Sequence, residues 1–429
     1  MNKHKILCVG LGKLGLVFSQ VVAEKIGNTW GYDINQNVIS SILNNKKSIE
    51  PKLNELLKKN KKKFKIVDNL YSGINSTNAA FLILPTPSKK NHEFDNSYIE
   101  SCLRKIGPHL RNKKNYLINI TSTVNPGSCE KFIKLLEKYK GVKHGKNFIL
   151  TYNPHLIALG SIYNDILYSD LVLIGSDNKK GSDILKSIYK KFYPKELSKL
   201  MFLNLKEAEI SKIAINSYIT MKISYTNLLS QISDNTKNIN VSKILNAIGN
   251  DKRIGKKYLS LGAMYSGPCF PRDNLNFIKF LQKTKVNYSL IRSTDLINNI
   301  QINRYLKIFN NEKKIFKKKP VIGICGLSYK ENTEVTTKAP SIEIEKKLSK
   351  KYKFVYHDTN VPENFSRRYF IKDIQRFFKI ADIIFVCYKN KKFLKIEKLK
   401  SNKKKVIIDL WNFIISNNKN ISIRKIGIS

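Results

Sequence analysis

Cys269 and Asp273 are the residues of this chain whose types and spacing point most directly to covalent chemistry. They lie in the segment Gly267-Pro268-Cys269-Phe270-Pro271-Arg272-Asp273. Pro271 favours the first turn of a helix, and the helix dipole at that end stabilises the nucleophilic thiolate of a cysteine. A spacing of four residues places both side chains on one helix face. The pattern predicts a nucleophile beside an acid; the alternative is a buried structural cysteine.

A second motif is suited to a dinucleotide. A G-x-G-x-x-G follows an apolar run and opens an amphipathic segment. Its glycines permit a tight turn, close approach of a pyrophosphate, and close packing of helix on strand. The pyrophosphate would lie at the helix N-terminus, and the alternative is a purely structural turn. The predicted cofactor contacts of this motif are Gly10, Gly12, Lys13, Leu14 and Gly15.

The acid that a dinucleotide site needs is also present. Asp33 is the last residue of the next predicted strand and can accept hydrogen bonds from the hydroxyls of an adenine ribose. No arginine follows it in Ile34-Asn35-Gln36, so a 2′-phosphate has no evident partner. The sequence therefore predicts NAD rather than NADP as the cofactor.

The net charge of +46, from 78 Lys+Arg against 32 Asp+Glu, raises the question of an anionic partner. The excess is mostly lysine, scattered in short runs such as 58–63, 317–319 and 403–405. Lysine, asparagine and isoleucine share A/T-rich codons, and no arginine-rich stripe or nucleic-acid motif is evident. Compositional drift is therefore favoured and no nucleic-acid partner is expected, although the field should attract a phosphorylated substrate.

The cysteines and the apolar runs bear on location. Six cysteines stand far apart without a CxxC pair, so neither a disulfide framework nor a zinc site is expected. Lys13 interrupts the apolar run that begins at Ile6, which argues against a signal peptide. No run of about eighteen apolar residues is present, so no membrane span is predicted. We expect a reduced, cytoplasmic protein without a bound metal.

Alternating apolar and amphipathic runs over the first 200 residues or so predict a parallel α/β sheet. A long helix is predicted from Glu207 onward, helical sequence continues to about Lys307, and a basic segment, Asn310–Lys319, reads as a linker. A second alternating pattern starts at Pro320. The predicted strands are Lys5–Gly10, Thr29–Asp33, Ala79–Leu84, Tyr116–Thr121, Phe148–Tyr152, Leu171–Gly175, Met201–Asn204, Val321–Cys325, Phe354–His357, Ile383–Cys387 and Val406–Leu410.

The order of these motifs resembles the nucleotide-sugar 6-dehydrogenases, the family that acts on UDP-glucose, UDP-N-acetylmannosamine or GDP-mannose. Its landmarks here are Gly10–Gly15, Leu84-Pro85-Thr86-Pro87, Ser122-Thr123-Val124, Asn153-Pro154, Glu209-Ile210-Ser211-Lys212, Asn216, Arg253-Ile254-Gly255, the Cys269 segment and Gly326-Leu327-Ser328-Tyr329-Lys330. The resemblance covers nearly the whole chain.

The resemblance implies an α/β fold of two Rossmann-like domains joined by a central helical domain with a long helix. The implied domains are an NAD-binding domain at 1–205, a helical dimerisation domain at 206–307 and a nucleotide-sugar-binding domain at 318–429. A homodimer through the central domain is implied as well. The implied reaction uses NAD twice to oxidise C6 of a nucleotide-linked sugar from alcohol to carboxylate, through a thiohemiacetal and a thioester on Cys269.

The resemblance also assigns roles to residues. Lys212 and Asn216, four apart on the long helix, would stabilise a developing oxyanion, and Asp273 would orient water or move a proton. The catalytic set is Cys269, Lys212, Asn216, Asp273, Thr123 and His155. Besides the glycine motif, the cofactor contacts are Asp33, Thr86 and Thr123. The substrate contacts are Lys212, Asn216, Arg253, Tyr258, Tyr265, Gly267 and Lys330.

The chain departs from the family pattern at four places. His155 replaces the usual glutamate after Asn-Pro, so hydrolysis of the thioester would depend on imidazole as the base. Ala158-Leu159, Thr337-Lys338-Ala339 and the loop 264–268 also differ from the usual residues. Two alternatives therefore stay open: a catalytically impaired nucleotide-sugar or NAD-binding relic, and a β-hydroxyacid-type dehydrogenase that transfers one hydride and needs no cysteine.

Overall fold

The computed structural model of the protein describes residues 4–361 and 369–428. The chain divides into two compact units, residues 1–214 and 215–429. The predicted α/β class with a helical middle and a long helix is confirmed. The boundary between the units falls within that helix, and the three predicted domain limits stay a prediction.

The first unit is built on an eight-stranded sheet with the strand order β3-β2-β1-β4-β5-β6-β7-β8. Its neighbouring strands run parallel except for β6 and β7, which pair antiparallel. A sequence of apolar runs does not encode strand direction, so the reversal was not predicted. The strands are β1 (Ile6–Val9), β2 (Thr29–Tyr32), β3 (Phe64–Ile66), β4 (Ala79–Leu82), β5 (Tyr116–Ile120), β6 (Phe148–Tyr152), β7 (Val172–Gly175) and β8 (Leu200–Leu203).

Apolar residues cover both faces of this sheet. Leu7 and Val9 of β1 belong to one buried cluster, whereas Ile6 and Cys8 belong to the other. Because successive side chains of a strand point to opposite faces, a sheet covered on both sides needs a continuous apolar run. The helices of this unit are α1 (Lys13–Lys25), α2 (Gln36–Leu43), α3 (Leu53–Lys59), α4 (Leu70–Ser76), α5 (Ser97–Ile106), α6 (Ser128–Leu136), α7 (Ile162–Leu167) and α8 (Lys179–Tyr189).

The second unit contains the helical middle and a five-stranded parallel sheet in the order β10-β9-β11-β12-β13. Helix α9 (Leu205–Asn235) starts in the first unit and continues into this one. The other helices are α10 (Val241–Gly249), α11 (Phe270–Lys283), α12 (Ser289–Glu312), α13 (Pro340–Leu348) and α14 (Ile374–Ile380). The strands are β9 (Ile322–Cys325), β10 (Phe354–His357), β11 (Ile383–Val386), β12 (Lys405–Asp409) and β13 (Ile421–Arg424).

Two strands, β3 and β13, were not predicted. Both are edge strands and both carry a basic residue, Lys65 and Arg424. Charged side chains are common on edge strands because they discourage pairing with another chain, and they also weaken the apolar signal. Helix α12 continues to Glu312, so the predicted linker at Asn310–Lys319 begins later than expected. Within the described ranges, no helix combines the length and apolarity needed to cross a membrane.

Candidate functional site

The glycine motif forms the turn between β1 and α1. Gly10 has φ +92°, and a Cβ there would lie 2.4 Å from the Ile83 carbonyl oxygen. A Cβ on Gly15 would lie 1.8 Å from the carbonyl oxygen of Gly10. Both positions therefore require glycine for the fold itself.

Gly12 differs from its two neighbours in the motif. It is the N-cap residue of α1, and a Cβ built on it would meet no atom within 4 Å. No side chain of the described part of the chain caps this helix end, and the first turn contains no acid. An open helix N-terminus of this kind suits an anionic group such as a pyrophosphate. Lys13 and Leu14, the first residues of α1, are exposed and half-buried respectively.

Asp33 lies directly beside this turn. One carboxylate oxygen accepts a hydrogen bond from the Leu11 N–H at 2.7 Å, and the other accepts one from the Asn35 N–H at 2.8 Å. The residue is half-buried, and each carboxylate oxygen has a further lone pair that can accept from a ribose diol. The turn and the carboxylate together fit the predicted NAD: one leaves room for a pyrophosphate and the other supplies acceptors.

Thr86 and Thr123 follow the carboxyl ends of β4 and β5, where open α/β sheets bind their ligands. The Thr86 hydroxyl donates to the Thr123 carbonyl oxygen at 2.7 Å. Ser122 connects the same two loops, because its Oγ accepts from the Leu84 N–H at 2.8 Å. The structure therefore brings these two predicted cofactor contacts together, with the Thr123 side chain half-buried.

Lys212 and His155 meet through the main chain of the histidine. The Lys212 ammonium donates to the His155 carbonyl oxygen at 3.2 Å, and Lys212 is only 7% exposed. The His155 ring turns elsewhere: its centroid lies 4.6 Å from that of Phe18, and Nε2 lies 3.3 Å from the Tyr189 hydroxyl. Nδ1 is buried and has no hydrogen-bond partner among the described residues.

These surroundings determine the charge of the histidine. Burial, with a smaller contribution from the Lys212 ammonium, lowers the pKa of His155 to about 3. The imidazole is therefore neutral at physiological pH. Its role as a base in hydrolysis stays a prediction; the structure shows the ring packed among aromatic side chains and the carbonyl directed to Lys212.

Cys269 is the N-cap residue of α11 and is exposed, as the proline two residues on predicted. Asp273 lies in the first turn of the same helix and is 1% exposed. Both of its carboxylate oxygens are engaged. The Asn216 amide donates to one at 2.6 Å, and the Arg272 guanidinium donates to the other through Nε at 3.1 Å. Asp273 therefore orients the amide of Asn216, one helical turn beyond Lys212 on α9.

The loop before Cys269 is in close contact with residues in and after the segment Gly326–Lys330. Gly267 has φ +84°, and a Cβ there would lie 2.8 Å from the Tyr329 ring. The Gly267 N–H donates to the Thr337 carbonyl oxygen at 3.0 Å. The Lys330 ammonium lies 5.9 Å from the centroid of the Tyr329 ring. The structure thus groups two of the predicted substrate contacts, Gly267 and Lys330.

Three other predicted substrate contacts have different surroundings. Arg253 is exposed and pairs with Asp251, with 2.6 Å between Nη2 and Oδ2. Tyr258 has φ +65° and an exposed side chain. Tyr265 is 5% exposed, and its hydroxyl donates to Asp295. Their roles toward a substrate stay predictions.

Glu209 belongs to one of the sequence landmarks, but no role was predicted for its side chain. It is fully buried on α9, and its carboxylate accepts the N–H of Gly127 and, at 2.8 Å, the N–H of Cys129. Burial raises its pKa despite these bonds. Glu209 therefore caps α6 and ties the start of that helix to α9. In this way the loop with Thr123 is held next to the helix with Lys212. An acid on the buried face of a helix was the signal that could have revealed it.

No group of three or more His, Cys, Asp and Glu residues suited to hold a metal ion occurs in residues 4–361 and 369–428.

Comparison with known proteins gives three domain matches in chain order. Residues 4–193 match the NAD binding domain of the UDP-glucose/GDP-mannose dehydrogenase family, residues 206–300 its central domain, and residues 323–416 its UDP binding domain. The first match contains the glycine turn and Asp33, and the second contains Lys212, Asn216 and Cys269.

Whole proteins of similar sequence and structure agree. UDP-glucose 6-dehydrogenase of Rickettsia typhi is 31% identical over 79% of this chain and 77% of its own length. TuaD of Bacillus subtilis, also a UDP-glucose 6-dehydrogenase, is 27% identical over 79% and 72%. A UDP-glucose dehydrogenase structure from Pyrobaculum islandicum has a TM-score of 0.86 at 23% identity, covering 98% of this chain and 97% of its own; at that identity it shows the fold alone. The domain matches and the homologues show that this chain belongs to the UDP-glucose/GDP-mannose dehydrogenase family.

Proposed function

We propose that this protein oxidises C6 of a nucleotide-diphosphate sugar, of the UDP-glucose, UDP-N-acetylhexosamine or GDP-mannose type, from alcohol to carboxylate with NAD. The observation that carries the proposal is the exposed thiol of Cys269 at the N-terminus of α11, four residues before a buried carboxylate. The names of the homologues support a UDP-sugar as the first substrate to test.

The proposed reaction has two oxidations and one hydrolysis. Bound NAD supplies the hydride acceptor for each oxidation. The C6 alcohol first loses a hydride and a proton to become an aldehyde. The Cys269 thiolate then adds to the aldehyde carbon, and the resulting thiohemiacetal loses a second hydride and a proton to become a thioester. Water attacks the thioester carbonyl, the carbon–sulfur bond breaks, and the carboxylate and the thiol are released.

Lys212 and Asn216 supply the donors that the developing oxyanion needs. An ammonium and an amide that are already oriented stabilise such charge without reorganisation. The His155 carbonyl holds the Lys212 ammonium, and Asp273 holds the Asn216 amide. In this arrangement the carboxylate of Asp273 acts first as a group that orients Asn216.

The stoichiometry of NADH tests the proposal. We expect two NADH per molecule of sugar oxidised when UDP- and GDP-sugars are screened, and at least about a thousandfold lower turnover to the acid in Cys269→Ala. Cys269→Ala should still bind NAD, which controls for misfolding. Unimpaired acid formation by Cys269→Ala would exclude the mechanism, and one NADH per substrate would favour the β-hydroxyacid-type alternative.

A second candidate, a binding protein derived from the enzyme, is favoured by one observation. The His155 ring is neutral and packed against Phe18 and Tyr189, so a base for hydrolysis is not evident at that position. This candidate predicts binding of NAD and nucleotide sugar without sustained turnover. Rapid-mixing measurements distinguish a binding protein from an enzyme that stalls at the thioester. Only the stalled enzyme gives a burst of NADH and a mass increase on Cys269.

We also propose that the protein is a homodimer formed through its helical middle. Large apolar side chains are exposed along α9 at a spacing that places them on one side: Tyr218, Tyr225, Leu228 and Ile232. An exposed apolar stripe of this kind is typical of an interaction surface. Sedimentation of the wild type and of Tyr225→Lys tests this, since the substitution should shift the protein toward monomer; a monomeric wild type would exclude the dimer.

A further inference from the structure

The loop before Cys269 is attached to α12 by the side chain of Asn298, which forms hydrogen bonds with the main chain of Tyr265. The Asn298 side-chain carbonyl accepts the Tyr265 N–H at 2.8 Å, and its amide donates to the Tyr265 carbonyl oxygen at 3.1 Å. A pair of bonds to both main-chain groups of one residue fixes the position and direction of the loop at Tyr265, four residues before the thiol.

The side chain of Tyr265 continues this attachment. Its hydroxyl donates to Asp295, also on α12. The amide of Asn274 donates to the same Asp295 oxygen at 2.8 Å and to the Tyr265 hydroxyl oxygen at 3.2 Å. Asn274 belongs to α11, the helix that Cys269 caps. Asp295 therefore links the segment before Cys269 to the helix after it.

A third helix takes part through Thr220 of α9, whose hydroxyl donates to the side-chain amide oxygen of Asn274 at 3.1 Å. Asn274 is fully buried and Tyr265 nearly so. Burial raises the pKa of Tyr265, as does the nearby Asp295 carboxylate, so the hydroxyl keeps its proton and remains a donor. Inside a protein such a network holds its members rigidly, because breaking one bond leaves a buried polar group without a partner.

We propose that Asp295, through Tyr265 and Asn274, is a positioning residue that sets the orientation of the Cys269 thiol at the N-terminus of α11. The expected effect on catalysis rests on the proposed function, whereas the expected effect on thiol reactivity does not. The alternative is that the same bonds contribute only to stability. A positioning role requires that the reactivity of the thiol change when the network is broken, beyond any change in stability.

Tyr265→Phe removes one hydroxyl from the network, and Tyr168→Phe makes the same change at an exposed tyrosine that directly follows α7 and serves as the matched control. The reactivity of Cys269 is measured by iodoacetamide labelling of the full-length protein without cofactor or substrate, as a function of pH, with peptide mapping to separate it from the buried cysteines. Thermal midpoints are measured on the same samples. Asp295→Asn, which keeps the shape of the side chain, is the second network variant.

We expect Tyr265→Phe and Asp295→Asn each to slow labelling of Cys269 near neutral pH, and to lower kcat with little change in KM, by about tenfold; Tyr168→Phe should leave both unchanged. Because iodoacetamide needs neither NAD nor a sugar, altered labelling in a protein that oxidises no nucleotide sugar would support the positioning role while overturning the proposed function. Wild-type labelling profiles in both network variants would overturn the positioning role, whatever happens to the thermal midpoints.

Discussion

The two glycine turns of this protein, one in each unit, begin in the same way. The N–H of Gly10 donates to the Tyr32 carbonyl oxygen at 2.8 Å, and the N–H of Gly326 donates to that of His357 at 2.8 Å. The φ angles of the two glycines are +92° and +98°. In each turn the residue after the glycine donates its N–H to an aspartate that follows the neighbouring strand.

The two turns differ in the burial of the aspartate and in the number of its hydrogen-bond donors. Asp33 is half-buried and accepts from Leu11 and Asn35. Asp358 is 5% exposed, and its acceptors are used by four main-chain N–H groups and a hydroxyl. Those donors are Leu327, Ser328, Asn360, Val361 and Tyr388.

The helix after each turn differs as well. Gly12 caps α1 directly and is open, whereas Ser328, at the corresponding place, is fully buried and α13 begins only at Pro340. The same local geometry is therefore open to a ligand in the first unit and filled by protein atoms in the second. A glycine after a strand indicates the turn, and the neighbours of that turn decide whether it can bind an anion.

The largest expected effect comes from a methyl group on either of the shared glycines. Gly10→Ala places Cβ 2.4 Å from a backbone oxygen, and Gly326→Ala places it 2.7 Å from the Tyr388 ring. With the unfavourable φ added, we expect Gly10→Ala to lower the free energy of unfolding by about 3 kcal/mol. The effect at Gly326 should be smaller because a ring can tilt and a backbone carbonyl cannot. Urea unfolding measures both, with Gly12→Ala as the control; equal stability of Gly10→Ala and Gly12→Ala would contradict the comparison.

The two aspartates give the next effect. Asp358→Asn keeps the shape but turns an amide N–H₂ toward buried N–H donors, and we expect it to lower the free energy of unfolding by about 2 kcal/mol. Asp33→Asn should cost about 1 kcal/mol or less, since water can replace its lost bonds. Asp33→Asn should instead weaken NAD binding. Thermal unfolding with and without NAD distinguishes the two; a larger loss of stability in Asp33→Asn would refute the assignment of the open and filled turns.

Gly12 and Ser328 occupy the third position of the two turns, and exchanging them tests through NAD binding whether the first turn is open and the second filled. Gly12→Ser adds a side chain at the open helix end, so we expect about tenfold weaker NAD binding, or ~1.4 kcal/mol, with little change in stability. Ser328→Gly should leave NAD binding unchanged and reduce stability slightly, because it removes the bond from the serine hydroxyl to the Lys330 carbonyl. Titration of each variant with NADH measures this; wild-type affinity in Gly12→Ser would place the pyrophosphate elsewhere.

The smallest effect concerns pH. His357 occupies the place that Tyr32 has in the first turn, and burial lowers its pKa. Between the ordinary value near 6.5 and the lowered value, the unfolded chain binds the proton more readily, so stability is lost as the pH falls through that window. We expect the loss of stability between pH 6.5 and 5.5 to be smaller in His357→Phe than in the wild type. Unfolding curves at both pH values provide the test, and an unchanged difference would show that His357 binds its proton equally well in the folded and the unfolded chain.

His155 makes the same contribution in the first unit, since its pKa is lowered to about 3. The unfolded chain binds the proton more readily from about pH 6.5 down to about pH 3, so the stability that depends on neutral His155 is lost as the pH falls through that window. His155→Phe therefore serves as the companion variant when the pH dependence is measured.

Much of the architecture was predictable from local pattern. Apolar runs indicated the strands that are covered on both faces, glycines and Pro271 indicated a turn and a helix start, and the absence of glycine and proline allowed the long helix. The edge strands β3 and β13 were not predicted because their polar residues interrupt the apolar pattern of a strand. The direction of β7 was not predicted because no local signal encodes strand direction.

The sequence alone determined which chemical groups are present and where the local elements begin: the glycine turn, Asp33, the thiol at the start of α11 and the lysine and amide on α9. Only the tertiary structure decided how those groups are held. It directed the His155 ring to Phe18, placed Asn216 and Arg272 on the two oxygens of Asp273, and used Glu209 to cap α6. Asn216 and Asp273 stand 57 residues apart and Glu209 and Cys129 stand 80 apart. Contacts of that range depend on how whole elements pack, and local propensity carries no information about them.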